Sequence, residues 1–289
     1  MSALRRERTL AFFALLLGGV AIAFSPIFVR LAEVGPMASA FWRVALAAPF
    51  LSAWALWDGR RALAIVPNRM PIIMAGFCFT ADLAFWHLSI VYTSVANATL
   101  LSNFAPIFVT IGGWVLYRWR VTKSFLLALG VSIGGAVLLI GPNVSLAGTH
   151  FTGDMLGIVT AVFYGSYMLA IKRARDTGGT SLIMAASSTI TAAALFPLAL
   201  AFEPSLLPST TQGWRVLFAL ALITQVAGQS LIAYAMAHLP ASLSSLSLLI
   251  QPVCAAAYAW ILLGEAITAT QFAGGAIVLA GIYLARKSS

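Results

Sequence analysis

The chain has 289 residues, 61% of them hydrophobic and 9% charged, with a formal net charge of +9 at pH 7. A soluble domain carries about 25% charged residues, and so few charges cannot cover the surface of a soluble protein this size. That excludes a cytosolic enzyme, a secreted domain and a disordered chain. It leaves an integral membrane protein, whose natural ruler is the 20 or so apolar residues that cross about 30 Å of hydrocarbon.

Taken in order, Arg5, Arg6 and Arg8 precede a run without charge from Thr9 to Val29. That run is too long for the h-region of a signal peptide, so it is read as a retained first helix. Charges and Pro/Gly clusters then cut the chain into ten expected spans: 10–32, 38–57, 70–91, 95–117, 124–141, 154–172, 180–202, 214–236, 241–263 and 268–285. The divisions fall at Asp58-Gly59-Arg60-Arg61, Tyr92-Thr93-Ser94, Gly141-Pro142-Asn143, Glu203-Pro204 and His238-Leu239-Pro240. The expected fold class is an all-α membrane protein of ten transmembrane helices, in two units of five, 1–143 and 144–289.

Loop cations set the expected orientation. With the N-terminus inside, the cytoplasmic set is Arg5, Arg6, Arg8, Arg60, Arg61, Arg69, Arg118, Arg120, Lys123, Lys172, Arg173, Arg175, Arg286 and Lys287. That is 14 of the 17 cations, with only Arg30, Arg43 and Arg215 elsewhere. Glu33, Asp154, Glu203 and Glu265 fall near the opposite face. Both termini are then cytoplasmic, and the basic excess reports topology rather than nucleic-acid binding. Seven of the eight tryptophans sit near span ends, as an interfacial belt places them; Trp86 is the exception. The two cysteines, Cys78 and Cys254, lie in apolar runs and indicate no disulfide framework. The three histidines, His87, His150 and His238, make no metal spacing, and no cofactor motif or catalytic set is present.

The halves resemble each other at a shift of 146 residues. Ala105-Pro106-Ile107-Phe108 and Gly113-Trp114-Val115-Leu116 align with Gln251-Pro252-Val253-Cys254 and Ala259-Trp260-Ile261-Leu262. Five is odd, so the two units enter the membrane in opposite senses. Such inverted repeats build many transporters, with the substrate near the midplane between the halves. The segment Gln251-Pro252-Val253 through Leu263-Gly264-Glu265 and Thr268 resembles the signature of EamA-type drug/metabolite transporters, and Phe41-Trp42-Arg43 resembles their aromatic-Arg element. The first repeat departs from that pattern, with Tyr117-Arg118-Trp119 where the second has Leu263-Gly264-Glu265. Within the superfamily the chain is most similar to YddG-type bacterial amino-acid exporters. The resemblance implies a bacterial inner-membrane exporter of aromatic and other neutral amino acids. Exporters of other metabolites or drugs, and a channel-like facilitator, are the alternatives. The expected partners are a small-molecule substrate and membrane lipids, with no nucleic acid, in a monomer or homodimer.

Asp82 is the only acid well inside a span, and such residues usually face an interior cavity. Phe79 and Trp86, at i−3 and i+4, share its face, so a carboxylate beside aromatic rings can take an amino group and stack a side chain. Packing by a hydrogen-bonded Asp is the plainer reading. The repeat partner of Asp82 is Gly228, between Gln225 and Gln229, so the site is expected to be asymmetric. Asn103, Tyr164, Ser244 and Gln251 are the other expected cavity residues, although small polar residues also serve as interhelical glue. Arg43 has three open options: a substrate carboxylate, a pair with Glu33, or the interface. Pro26, Pro106 and Pro252 are expected kinks or gating points, and Gly130-xxx-Gly134, Gly274, Gly275 and Gly281 mark close helix approach within the chain or across a dimer. Proton antiport through Asp82 and facilitated diffusion both fit the sequence.

Overall fold

The computed structural model describes residues 3–59, 68–93, 95–141, 151–264 and 266–287. Arg60, Arg61, Ser94, the Pro142-Asn143 loop with the boundary between the two repeats, His150 and Glu265 lie outside the described residues. Every described element is helical, as hydrocarbon demands of a chain that must satisfy its own backbone. The helices are α1 (Ala3–Ile22), α2 (Ser25–Leu31), α3 (Pro36–Ala45), α4 (Ala47–Trp57), α5 (Met70–Tyr92), α6 (Val95–Ser102), α7 (Ala105–Tyr117), α8 (Lys123–Ile140), α9 (Phe151–Arg175), α10 (Thr180–Phe202) and α11 (Thr211–Ala219). A π-helical segment, Leu220–Gln229, then leads into α12 (Ser230–His238), α13 (Ala241–Ser247), α14 (Ile250–Leu263) and α15 (Ala269–Lys287). Among the described residues, nine helical stretches are long and apolar enough to cross a membrane, the last being Ala241–Leu262. The remaining helix, α15, has 19 residues and ends on Arg286 and Lys287.

Prolines account for most of the interruptions. Pro26 stands at the start of α2, where its missing N–H costs nothing. Pro49, Pro106 and Pro252 each lie two to four residues beyond a break, at Leu46, at Asn103–Phe104 and at Leu248–Leu249. A proline ring clashes with the carbonyl four residues earlier, which places the interruption there. Pro197 lies inside α10 without breaking it. The element bounds also recur at the 146-residue shift: α6 begins at Val95 and α13 at Ala241, while α8 begins at Lys123 and α15 at Ala269.

Two contacts orient the frame around the cavity. The first is reciprocal capping between loops. Glu203 accepts a hydrogen bond from the Met37 N–H (2.7 Å) at the start of α3, and Glu33 accepts from the Ser209 and Thr210 N–H groups (3.1 and 3.0 Å) ahead of α11. Each carboxylate thereby sits at the positive end of a helix from the other loop. The Thr210 hydroxyl, which also donates to Glu33, holds that carboxyl below its ordinary pKa. Glu33 is therefore occupied here, and the pairing with Arg43 that the sequence allowed is not made. The Trp42 indole locks the same junction by donating to the Leu206 carbonyl at 2.6 Å.

The second contact is the α8–α15 pair, where backbones nearly touch. A Cβ on Gly135 would lie 2.7 Å from the Val278 nitrogen and 2.8 Å from the Gly274 carbonyl. Ser132 faces Gly281 in the same seam. The two helices thus pair within the chain, through the expected Gly274 and Gly281 of α15 but not through the expected pair of α8. Gly130 and Gly134 face open space, and Gly275 makes only ordinary contacts. The seam runs through Ser132, Gly135 and Leu139, because burial on α8 follows that stripe. Replacing Gly274 by Leu would drive a side chain into the Leu139 backbone, and overpacking of that kind typically costs about 1–3 kcal/mol. We expect Gly274→Leu to lower the melting temperature of the detergent-solubilised protein, while Gly134→Leu leaves it unchanged.

Candidate functional site

α1 and α2 meet the site at their junction, where the chain turns through Ala23 and Phe24. α5 brings Phe79, Asp82 and Trp86 along one face. The ends of α6 and α14 bring Asn103 and Gln251 next to their breaks, and α9 brings Tyr164. These groups line one cavity, whose empty space including its mouth is about 700 Å³. Six of the seven expected binding residues converge there, together with Pro26 and Pro252. Ser244 does not: its side chain is fully buried in α13, and its hydroxyl donates to the Pro240 carbonyl at 3.0 Å. Pro106 is buried near the start of α7 and is not part of the lining.

The electrostatics of the cavity rest on two charges. Asp82 is 8% exposed and Arg43 is 5% exposed. Both line the cavity and feel each other's field without forming an ion-pair contact. The Asp82 carboxylate has no hydrogen-bond partner among the described residues. Arg43 is anchored from behind: its Nε donates to Gln225 Oε1 at 3.3 Å and one terminal nitrogen donates to Ser25 Oγ at 3.1 Å. Gln225 passes the chain on, donating from Nε2 to Ser188 Oγ at 3.1 Å. A guanidinium has five N–H donors, so this anchoring leaves others for a ligand. The Arg43 head also sits 5.7 Å from the centre of the Phe79 ring, within cation–π range.

Around these charges stand aromatic rings and unpaired amides. Phe79 stacks on Tyr167 at 4.6 Å, Tyr167 lies 6.0 Å from Tyr164, and Trp86 closes the same side. Tyr164 lies beside Gln251 and Gln229. Gln251 Nε2, Gln229 Oε1 and Thr99 Oγ1 are buried without a partner among the described residues. A buried polar group left unmatched costs about 1–3 kcal/mol, and all three of these atoms belong to residues that line the cavity.

Sequence reasoning reached Arg43 only as one option of three, and offered Thr99 beside Asn103 and the amides of Gln225 and Gln229 without naming them as binding residues. Gln229 had a readable signal: it adjoins Gly228, the repeat partner of Asp82. Its orientation did not, because it is set by the π-helical turn, and such insertions cluster at functional sites. Gly228 itself faces α1, where a Cβ would lie 2.7 Å from Ile22 and 3.3 Å from the Gly18 carbonyl.

A helical membrane protein whose interrupted helices frame a polar cavity between packed helices has the design of a transporter. The chain belongs to the EamA-like transporter family, whose model matches it twice, at residues 9–141 and 151–286. Two uncharacterized transporters of Archaeoglobus fulgidus are similar to it, one 30% identical over 76% of this chain and 77% of the relative, the other 28% identical over 91% and 92%. A pseudopaline exporter of Pseudomonas aeruginosa is 24% identical over 74% of each chain. A crystal structure superposes with a TM-score of 0.80, covering 98% of this chain and 96% of the other at 18% identity, which speaks for the fold alone.

The placement of the polar residues is open to a direct check. In a background with Cys78 and Cys254 replaced by Ala, cysteine introduced at Ser102 or Asn103 should react readily with a small cationic thiol reagent. Cysteine at Ser244 should stay unlabelled. Equal reaction at all three positions would contradict the cavity described here.

Proposed function

We propose that the protein is a ten-span exporter of the bacterial inner membrane, built as two inverted five-helix repeats with both termini cytoplasmic. It moves small amphiphilic metabolites, aromatic and other neutral amino acids foremost, by alternating access around the central cavity. The recurrence of helix bounds at 146 residues and the two matches of the family model support the repeats. An odd number of spans in each repeat, and cations gathered at one set of loops, support the inversion and orientation. The exporter among the relatives supports the outward direction.

The observation that carries the substrate reading is the pair of opposite charges held apart in one cavity beside aromatic rings. A zwitterion fits both: its ammonium meets the Asp82 carboxylate and its carboxylate meets the free donors of Arg43. An apolar or aromatic side chain then lies against Phe79, Trp86 and Tyr164, while Gln229 and Gln251 supply the remaining hydrogen bonds. The breaks at Pro26, Pro106 and Pro252 are the bending points of the cycle.

The test is counterflow of labelled phenylalanine or tryptophan into proteoliposomes loaded with the same amino acid. Accumulation well above that in empty liposomes is expected. Loss of one charged hydrogen bond is worth about 1.5–3 kcal/mol, so Asp82→Asn and Arg43→Gln should each raise the half-saturating concentration by roughly ten- to a hundredfold. Uptake no faster than in empty liposomes would overturn the amino-acid reading, and uptake that never saturates would favour a channel.

A further inference from the structure

The loop between α7 and α8 is where the first repeat departs from the family signature, and the transport cavity makes no use of it. Arg118 caps α7 in the left-handed region, at φ 53° and ψ 34°, and is the only described residue other than glycine with positive φ. Its backbone N–H bonds to the Trp114 carbonyl and that of Trp119 to the Gly113 carbonyl (3.0 and 3.1 Å), a helix end that normally takes glycine. The equivalent residue of the second repeat is indeed Gly264, at φ 70°. An arginine held where its counterpart is glycine is a strained choice, and strain of this kind gathers at functional sites.

The side chains around it make a formed site. The Trp119 ring folds back over Gly113, whose missing side chain leaves room for it, and stacks on Tyr117 at 5.2 Å. Arg173 lies 5.9 Å over the Tyr117 ring. The guanidinium groups of Arg118 and Arg120 are exposed and have no hydrogen-bond or ion-pair partner among the described residues. Asp176, the acid nearest this corner, is taken by Lys172 and Arg173, each at 3.7 Å. Away from the loop, Ile111, Trp114 and Val115 are 51–64% exposed on α7 and form the floor of an open groove of about 1,530 Å³ that ends at Arg118 and Arg120.

We propose that this loop and groove bind one anionic phospholipid. Its phosphate sits between Arg118 and Arg120, and an acyl chain lies along Ile111 and Val115. The charge pattern selects this occupant: guanidinium groups match a phosphodiester, and two unneutralised cations favour a lipid with net negative charge over a zwitterionic one. An apolar groove with tryptophans at its charged end matches a molecule that is hydrocarbon on one side and polar on the other. In the orientation proposed above, the site faces the cytoplasmic leaflet, but lipid binding itself does not depend on the transport reading.

The test uses the purified full chain, delipidated and titrated with phosphatidylglycerol, phosphatidylcholine or inorganic phosphate, read by native mass spectrometry and by melting temperature. One phosphatidylglycerol should bind in preference to phosphatidylcholine and raise the melting temperature, and inorganic phosphate should do neither. Arg118→Gly restores the residue of the second repeat, so it should melt in phosphatidylcholine at least as high as the parent while binding phosphatidylglycerol about fivefold more weakly. Arg120→Gln should show a similar loss. Equal binding of the two lipids by the parent, an undiminished preference in the Arg118→Gly, Arg120→Gln double variant, or stabilisation by phosphate alone would each overturn the site.

Discussion

Hydrocarbon offers no partner to a backbone N–H or C=O, so a helix can be interrupted inside it only where protein or a cavity covers the break. Among the described residues, four spans are interrupted and a fifth widens into a π-helical turn. The breaks at Ala23–Phe24 and Asn103–Phe104 and the end of the π segment at Gln229 border one cavity, and the break at Leu248–Leu249 stands just ahead of its lining residues Gln251 and Pro252. The fourth break, at Leu46, stands away from it, yet it ends the helix that carries Arg43 in. The breaks and the cavity therefore go together at most points: interrupted backbone supplies Ser25, Asn103, Gln229 and Gln251 to its lining, while the unbroken α5 and α9 supply Asp82, Trp86 and Tyr164.

The two halves share a skeleton but not a surface. Asp82 stands opposite Gly228, and Gly228 has no freedom to be an acid, because α1 crosses it at Gly18 with backbone against backbone. Any side chain there would separate α1 from the π segment, which carries the anchor of Arg43. Close packing in one half thus confines the acidic group to the other. Arg118 and Gly264 repeat the pattern outside the cavity, with the same helix end built twice and given a charge once. Divergence falls at single positions and in where spans are interrupted: the first two spans are broken while α9 and α10 run through, and the π segment has no counterpart in α5.

That difference explains which features were legible. Spans follow from composition, and breaks follow from proline, because both act on the chain locally; the segments and three kinks were readable for that reason. The face shared by Phe79, Asp82 and Trp86 was readable because helical spacing alone puts them together. Ser244 lies seven residues before Gln251, which an unbroken helix would put on one face, yet the break at Leu248–Leu249 separates them and the Ser244 hydroxyl bonds back to Pro240. The glycine seam was readable on one side only: Gly274 and Gly281 of α15 do lie in it. A Gly-xxx-Gly pair does not say which neighbour comes to it, and on α8 Gly135 rather than Gly134 meets α15. The π segment left no trace in residue type.

Arg43 joins these threads. A guanidinium this deep is tolerable only with its donors matched, and Ser25 and Gln225 match two of them. Ser25 is the first residue of α2, immediately after the break in the first span, and Gln225 lies inside the π segment. The charge proposed to take the substrate carboxylate is therefore bonded directly to the two most irregular stretches of backbone. In the proposed transporter, a ligand that draws Arg43 toward Asp82 stretches or releases those two bonds. Occupancy would then be felt at the hinge through one side chain, with no relay of packed residues between site and bend. A lysine in that place would hold the charge but not both anchors, since its single nitrogen cannot reach two helices and a ligand with the geometry of a planar fork.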